Sequence, residues 1–73
     1  MLSSTEENYL KAIYKISERD NKAASTNAIS KEISTSAASV SDMLQRLSTK
    51  GMTHYEKYKG VTLTEEGNQI ATN

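Results

Sequence analysis

The 73-residue chain contains no cysteine, proline, tryptophan or phenylalanine, and it has only three glycines and four tyrosines. Without cysteine it can form neither a disulfide nor a cysteine-bound metal site, and such a composition suits a reducing cytosol. No apolar run approaches the roughly 20 residues that a membrane-spanning helix needs. The first eight residues, MLSSTEEN, are polar and acidic, unlike the basic and apolar start of a signal peptide. The sequence therefore predicts a cytoplasmic protein with no membrane partner.

Residues suited to catalysis are also scarce. His54 is the single histidine, and no cysteine or Asp–His pair offers a nucleophile with its base. The chain has no glycine-rich phosphate loop, and the adjacent pairs Glu6–Glu7 and Glu65–Glu66 point to different faces of their helices. One histidine and scattered carboxylates give no recognised metal-ligand spacing. We therefore expect no enzyme activity and no small-molecule substrate.

The most regular stretch is SAASVSDMLQRLSTKG, residues 36–51. Ser36 is a strong helix N-cap, and Gly51 sits where a helix would end. One side of this predicted helix carries an apolar stripe, formed by Val40, Met43, Leu44 and Leu47. The opposite side carries small or polar residues, namely Ala38, Asp42, Gln45 and Thr49. Taken alone, the pattern also fits the third helix of a small bundle.

Two shorter helices are predicted before this stretch. A capping box, with Ser4 as N-cap and Glu7 at N3, starts a first helix that runs to about Glu18. Ser25 or Thr26 caps a second helix over residues 27–33, after a very short edge strand at residues 23–25. A three-residue polar turn then leads into the central helix, which is the spacing of a helix-turn-helix.

A short hairpin and a last helix follow the central helix. Residues 52–56 and 61–63 are rich in β-formers and flank a turn at residues 57–60. Thr64 caps a helix that reaches residue 71, and Gly67 is expected to weaken it. The predicted fold is mainly α with a small β-hairpin: a winged helix-turn-helix of three core helices, a wing and the start of a fourth helix. A domain of this size buries only about 60% of its unfolded surface, so association with a second chain would stabilise it.

This order of elements predicts contacts with double-stranded DNA. Small side chains at the start of the central helix would let its backbone approach the bases in the major groove. Phosphates would bind the start of the second helix and the basic residues of the central helix and wing. The predicted DNA-binding residues are Thr26, Asn27, Ser36, Ala37, Ala38, Ser39, Asp42, Arg46, Lys50, Lys57 and Lys59.

The charge distribution leaves alternatives open. Net charge is zero, but residues 37–60 hold four Lys or Arg against two Asp or Glu, a modest surplus at the predicted interface. Asp42 could accept from a cytosine amino group or simply pair with Arg46 one turn away. Each lysine could equally be a solubilising surface charge. A winged-helix module that binds a protein is therefore the rival hypothesis.

Three phrases of the sequence resemble one known family. They are TEENYLKAIYKIS (residues 5–17), SAASVSDMLQRLSTKG (residues 36–51) and YEKYKGVTLTEEG (residues 55–67). Together they closely resemble the DtxR/MntR-type metal-dependent transcriptional repressors over nearly the whole chain. The resemblance implies a winged-helix domain at residues 1–64, with the start of a linker or dimerisation helix at residues 65–73. It also implies a homodimeric repressor that senses manganese or iron and binds palindromic operators.

The resemblance carries over unevenly to individual residues. It places DNA contacts at Ser36, Ala38, Ser39, Asp42, Arg46 and Lys59. It places metal ligands of the first helix at Asn8 and Lys11, where manganese-type members offer carboxylates. Asn8 could give a weak amide oxygen, whereas a protonated Lys11 would repel a cation. Manganese or iron(II) is thus expected for the full-length protein, with none bound by this fragment. Two possibilities stay open: metal control through altered ligands, and loss of metal control.

Overall fold

Four helices and a two-stranded antiparallel hairpin make up residues 2–56 and 59–73, which the computed structural model describes. The helices are α1 (Ser4–Asp20), α2 (Thr26–Glu32), α3 (Ala37–Thr49) and α4 (Glu65–Thr72), and the strands are β1 (Thr53–Glu56) and β2 (Gly60–Leu63). Among these described residues, no helix has the length and apolar character required to cross a membrane. The predicted winged helix-turn-helix is confirmed.

The core forms where the apolar sides of α1, α2 and α3 meet the hairpin. Leu10, Ile13, Ile29, Leu44 and Val61 are all completely buried there. Because α1 and α3 each bury residues spaced three or four apart, the helical periodicity alone selects the faces that meet. The apolar stripe predicted for α3 is confirmed, with one difference: its Met43 is only half-buried, at the edge of the core.

The start of α1 corrects the predicted capping box by one residue. Ser3 is the N-cap, and its hydroxyl accepts a hydrogen bond from the Glu6 N–H at 3.1 Å. The Glu6 carboxylate accepts in return from the Ser3 N–H at 2.9 Å. The prediction of Ser4 with Glu7 was wrong because the sequence offers two boxes of identical spacing, and tertiary contacts favour the first. The helix also extends two residues beyond Glu18, to Asp20.

The predicted edge strand at residues 23–25 is reduced to one residue that pairs with the wing. Ala24 donates its N–H to the Val61 carbonyl at 3.0 Å and accepts from the Val61 N–H at 2.8 Å. Gly60, at φ 102°, lies so close that an added Cβ would meet the Ala24 carbonyl oxygen at 2.6 Å. The bridge therefore fixes the wing against the segment between α1 and α2.

Serine and threonine caps begin the other helices. Ser25, one of the two predicted candidates, caps α2, and Ser36 caps α3 as predicted. Thr64 caps α4 as predicted, and its hydroxyl also donates to the Gly51 carbonyl at 2.8 Å. Since α4 also packs against α1, it belongs to the same folded body as the winged helix. The division at residue 64 stays a prediction.

Candidate nucleic-acid interface

The first turn of α3 presents a small, exposed surface. Ser36, Ala37, Ala38 and Ser39 are all exposed. The Ser36 hydroxyl accepts from the Ser39 N–H at 3.1 Å and donates to the Ser39 hydroxyl at 2.9 Å. These bonds fix the cap, and the two alanines leave no bulk between the helix backbone and an approaching ligand. The predicted site residues at this end of α3 therefore lie together on one accessible surface.

One turn further along α3, Asp42 and Arg46 form an ion pair. The Arg46 Nη2 lies 3.3 Å from the Asp42 Oδ2, and the two side chains are 62% and 67% exposed. The pairing that the sequence left as an alternative to base contact is thus present in the free protein. An exposed pair of this kind is worth only about 0–1 kcal/mol. Its partners can therefore be redirected toward bases or phosphates at little cost.

Gln45 was missed as a candidate site residue. It is exposed and lies between Asp42 and Arg46 in the chain, on the outer side of α3. Its amide has the donor and acceptor pair that suits an adenine edge in the major groove. The helical period already placed Gln45 on this side, and that position could have identified it.

The wing and the start of α2 come together at a small depression. Thr26, Tyr55 and Lys59 all line it, and its volume is about 170 Å³. Lys59 is 79% exposed, and its Nζ lies 3.6 Å from the Glu56 carboxylate. A hydroxyl and an ammonium group at one depression can contact the same phosphate.

A further predicted phosphate contact, Asn27, lies elsewhere. Asn27 is exposed in a separate depression that it shares with Arg19 and Lys31. Lys57 lies outside the described residues. The predicted α2-and-wing contacts therefore divide between at least two places on the surface.

Lys50, a predicted phosphate contact, forms an ion pair within the chain. It is the C-cap of α3, and its Nζ lies 2.5 Å from the Glu6 Oε2. The Glu6 side chain is only 9% exposed. Hydrogen bonds from Lys50 and Ser3 lower the pKa of Glu6 from 4.5 to about 2, so the carboxylate stays charged at neutral pH. The contact ties the end of α3 to the start of α1 and occupies the ammonium group that was expected to reach DNA.

The positions compared with metal ligands lie in an open cleft between α1 and α2. Asn8 and Lys11 both line it and are exposed. Within residues 2–56 and 59–73, no cluster of three or more His, Cys, Asp or Glu side chains could hold a metal ion. Divalent cations such as manganese and iron bind oxygen and nitrogen lone pairs, which a protonated lysine lacks. The residues on this side of α1 do not fit such an ion.

Comparisons with known proteins agree with this fold. Residues 1–61 match the family described as iron dependent repressor, N-terminal DNA binding domain. An uncharacterized HTH-type transcriptional regulator of Methanocaldococcus jannaschii is 33% identical over 66 residues, which are 90% of this chain and 53% of that protein. The chain thus spans about half the length of this relative.

Two solved structures share the fold. The manganese regulator SloR is 37% identical with a TM-score of 0.75, over 92% of this chain and 31% of that one. ScaR with bound Zn²⁺ has the same TM-score at 22% identity, over 92% of this chain and 30% of that one, and shows likeness of fold alone. The resemblance drawn from the sequence is confirmed. The chain belongs to the iron-dependent repressor family, which it matches through the N-terminal DNA-binding domain.

Proposed function

We propose that the chain regulates transcription by inserting α3 into the major groove of double-stranded DNA. The outer side of α3 carries this proposal, because it combines an open first turn with exposed groups that match base edges. The major groove of B-DNA is about 12 Å wide and admits an α-helix. Gln45 suits adenine, Arg46 suits guanine, and the methyl group of Ala38 suits thymine.

Phosphate contacts would come from the sides of this helix. Thr26 and Lys59, which line one depression, would share one backbone phosphate, and Asn27 would contact another. Lys57 in the wing stays a predicted contact. Lys50 would contribute to the orientation of α3 through Glu6 and less to DNA contact.

Two chains would bind one operator. Palindromic sites match the two-fold symmetry of a dimer, with half-sites about one helical turn apart. The chain spans only part of its relatives, so homodimerisation and palindromic operators are proposed for the full-length protein. The winged-helix module that binds a protein remains the competing hypothesis.

Metal control has two candidate forms. Membership in the family and the likeness to a manganese regulator support control by manganese or iron(II) in the full-length protein. Lys11 supports the other form, a regulator in which α1 takes no part in metal control, because the Lys11 ammonium group would repel the metal ion. Asn8 alone would then be left to offer an oxygen.

Fluorescence anisotropy tests the proposal directly. A labelled duplex selected from a randomised pool is titrated with the chain at several salt concentrations, beside a scrambled duplex. We expect tighter binding to the selected duplex and a linear fall of log K with log salt. No binding to DNA at low salt would favour the protein-binding module. The titration is repeated with the full-length protein, with and without manganese and iron(II): tighter binding with metal supports metal control, and unchanged binding supports its loss.

Lys59→Ala is the matched variant for the phosphate contact. We expect weaker binding to both duplexes and a salt slope shallower by about 1, because one phosphate contact is lost. Lys22→Ala, which changes an exposed lysine in the loop after α1, is the control and should leave the slope unchanged. An unchanged slope in the Lys59 variant would remove Lys59 from the interface.

A further inference from the structure

The cleft between α1 and α2 has the size and lining of a small-molecule site. Its volume is about 550 Å³, within the range of about 300–1,000 Å³ for ligand pockets. Tyr9 and Ala12 form a buried apolar floor, at 6% and 5% exposure, and Ile33 closes one side half-buried. An apolar group could lie on this floor and lose contact with water.

The cleft has a net positive charge, which comes from a single lysine. Lys15 Nζ is 2.9 Å from the Glu32 Oε2, so these two charges neutralise each other between α1 and α2. Lys11 also lines the cleft, and none of the ion pairs found in the described part of the chain involves it. Its ammonium group is therefore available to an anion.

Neutral hydrogen-bond donors line the same cleft as this ammonium group. The hydroxyls of Thr5 and Thr35 and the amide of Asn8 line the same cleft. Within residues 2–56 and 59–73 these three side-chain groups make no hydrogen bond to protein. A carboxylate can accept from two or more donors at once, and a charged donor strengthens the contact.

We propose that this cleft binds a small organic carboxylate with an apolar body. The carboxylate would accept hydrogen bonds from Lys11 and its neutral neighbours, and the apolar body would cover Tyr9 and Ala12. The positions that correspond to cation ligands in the family thus form an anion site in this chain. The proposal does not depend on DNA binding, so either can fail without the other.

Chemical-shift titration of the ¹⁵N-labelled chain tests this site. The probe is phenylacetate, with phenylacetamide as a neutral analogue of the same shape and inorganic phosphate as an anion without an apolar body. We expect saturable shifts of the backbone amides at Asn8, Lys11, Ala12 and Thr35 with phenylacetate. Both analogues should bind at least about threefold more weakly, since each lacks one of the two contacts.

Two lysine variants decide which charge is responsible. Lys11→Gln should weaken phenylacetate by roughly three- to fivefold, as expected for an exposed ion pair. Lys22→Gln should leave the affinity unchanged. The proposal fails if the amides of the cleft do not shift, or if both variants bind phenylacetate as the wild type does.

Titration with Mn²⁺ tests whether the cleft binds a cation and not an anion. Because Mn²⁺ is paramagnetic, bound ion would selectively broaden the amide signals of Asn8 and Lys11. We expect no such selective broadening in the wild-type chain. Selective broadening there would show that the cleft takes a cation, and it would overturn the assignment.

Discussion

The inner and outer sides of α3 contrast within one helix. Val40, Leu44 and Leu47 on the inner side are completely buried. Asp42 and Arg46 on the outer side are more than 60% exposed and pair with each other. The inner side fixes where the helix lies, and the outer side is free to meet a ligand. Fold stability and DNA recognition should therefore respond to different residues of the same helix.

Leu44→Ala should have the largest effect, and on stability. Removing a fully buried leucine leaves a cavity, which typically lowers the free energy of unfolding by about 2–5 kcal/mol. Urea denaturation measures this change. Gln45→Ala is the control. Gln45 is the exposed neighbour of Leu44, and its removal should change the free energy of unfolding by no more than about 0.5 kcal/mol. Similar losses in the two variants would contradict the division between the two sides.

Gly67→Ala tests whether a buried position is equally sensitive to substitution in α4. Helix propensity alone predicts that alanine gains about 1 kcal/mol. Gly67 is buried, however, and an added Cβ would lie 2.1 Å from the Met52 carbonyl oxygen. We therefore expect a loss of about 1–3 kcal/mol in the free energy of unfolding, as in overpacked sites. A more stable variant by urea denaturation would show that α4 can move away from Met52.

Gln45→Ala should weaken DNA recognition although it leaves stability nearly unchanged, the opposite of Leu44→Ala. Loss of one bidentate base contact is worth about 1–3 kcal/mol of discrimination. Anisotropy should show weaker binding to the selected duplex and unchanged binding to the scrambled one. Equal losses on both duplexes would mean that the side chain contacts phosphate and does not read a base.

Glu6→Gln should have the smallest effect, present above pH 4.5 and disappearing in acid. The folded pKa of Glu6 is about 2 against 4.5 in the unfolded chain. A depressed pKa stabilises the fold above pH 4.5, and this contribution is lost as pH falls from 4.5 toward 2. The variant should therefore lose less stability than the wild type across that interval in urea titrations. Identical pH slopes for the variant and the wild type would exclude the Glu6–Lys50 contact as the cause.

The capping box shows where prediction from sequence stops. The segment SSTEE contains two overlapping boxes, Ser3 with Glu6 and Ser4 with Glu7, and both satisfy the local spacing. Lys50, 44 residues away, contacts Glu6. That contact depends on how α1 and α3 pack, so no local pattern could identify it. The same contact explains why Lys50, predicted to bind phosphate, is already paired.

The binding surfaces were predictable to different degrees. The accessible outer side of α3 follows from helical periodicity, which also placed Gln45 there. The depression shared by Thr26 and Lys59 requires α2 and the wing to meet. The cleft at Lys11 requires α1 and α2 to lie side by side, with Glu32 turned to Lys15. Sequence reasoning excluded a cation at Lys11 and gave no reason to expect a cleft beside it.

The sequence by itself determined the order of the elements, two of the helix caps and the buried face of each long helix. These properties depend on residues within a few positions of one another, where spacing dictates hydrogen bonds and burial. Tertiary structure alone decided the partner of Lys50, the close approach that requires Gly67 and the charge balance of the cleft. Each of these depends on distances between residues far apart in the chain, which become short only after the helices pack.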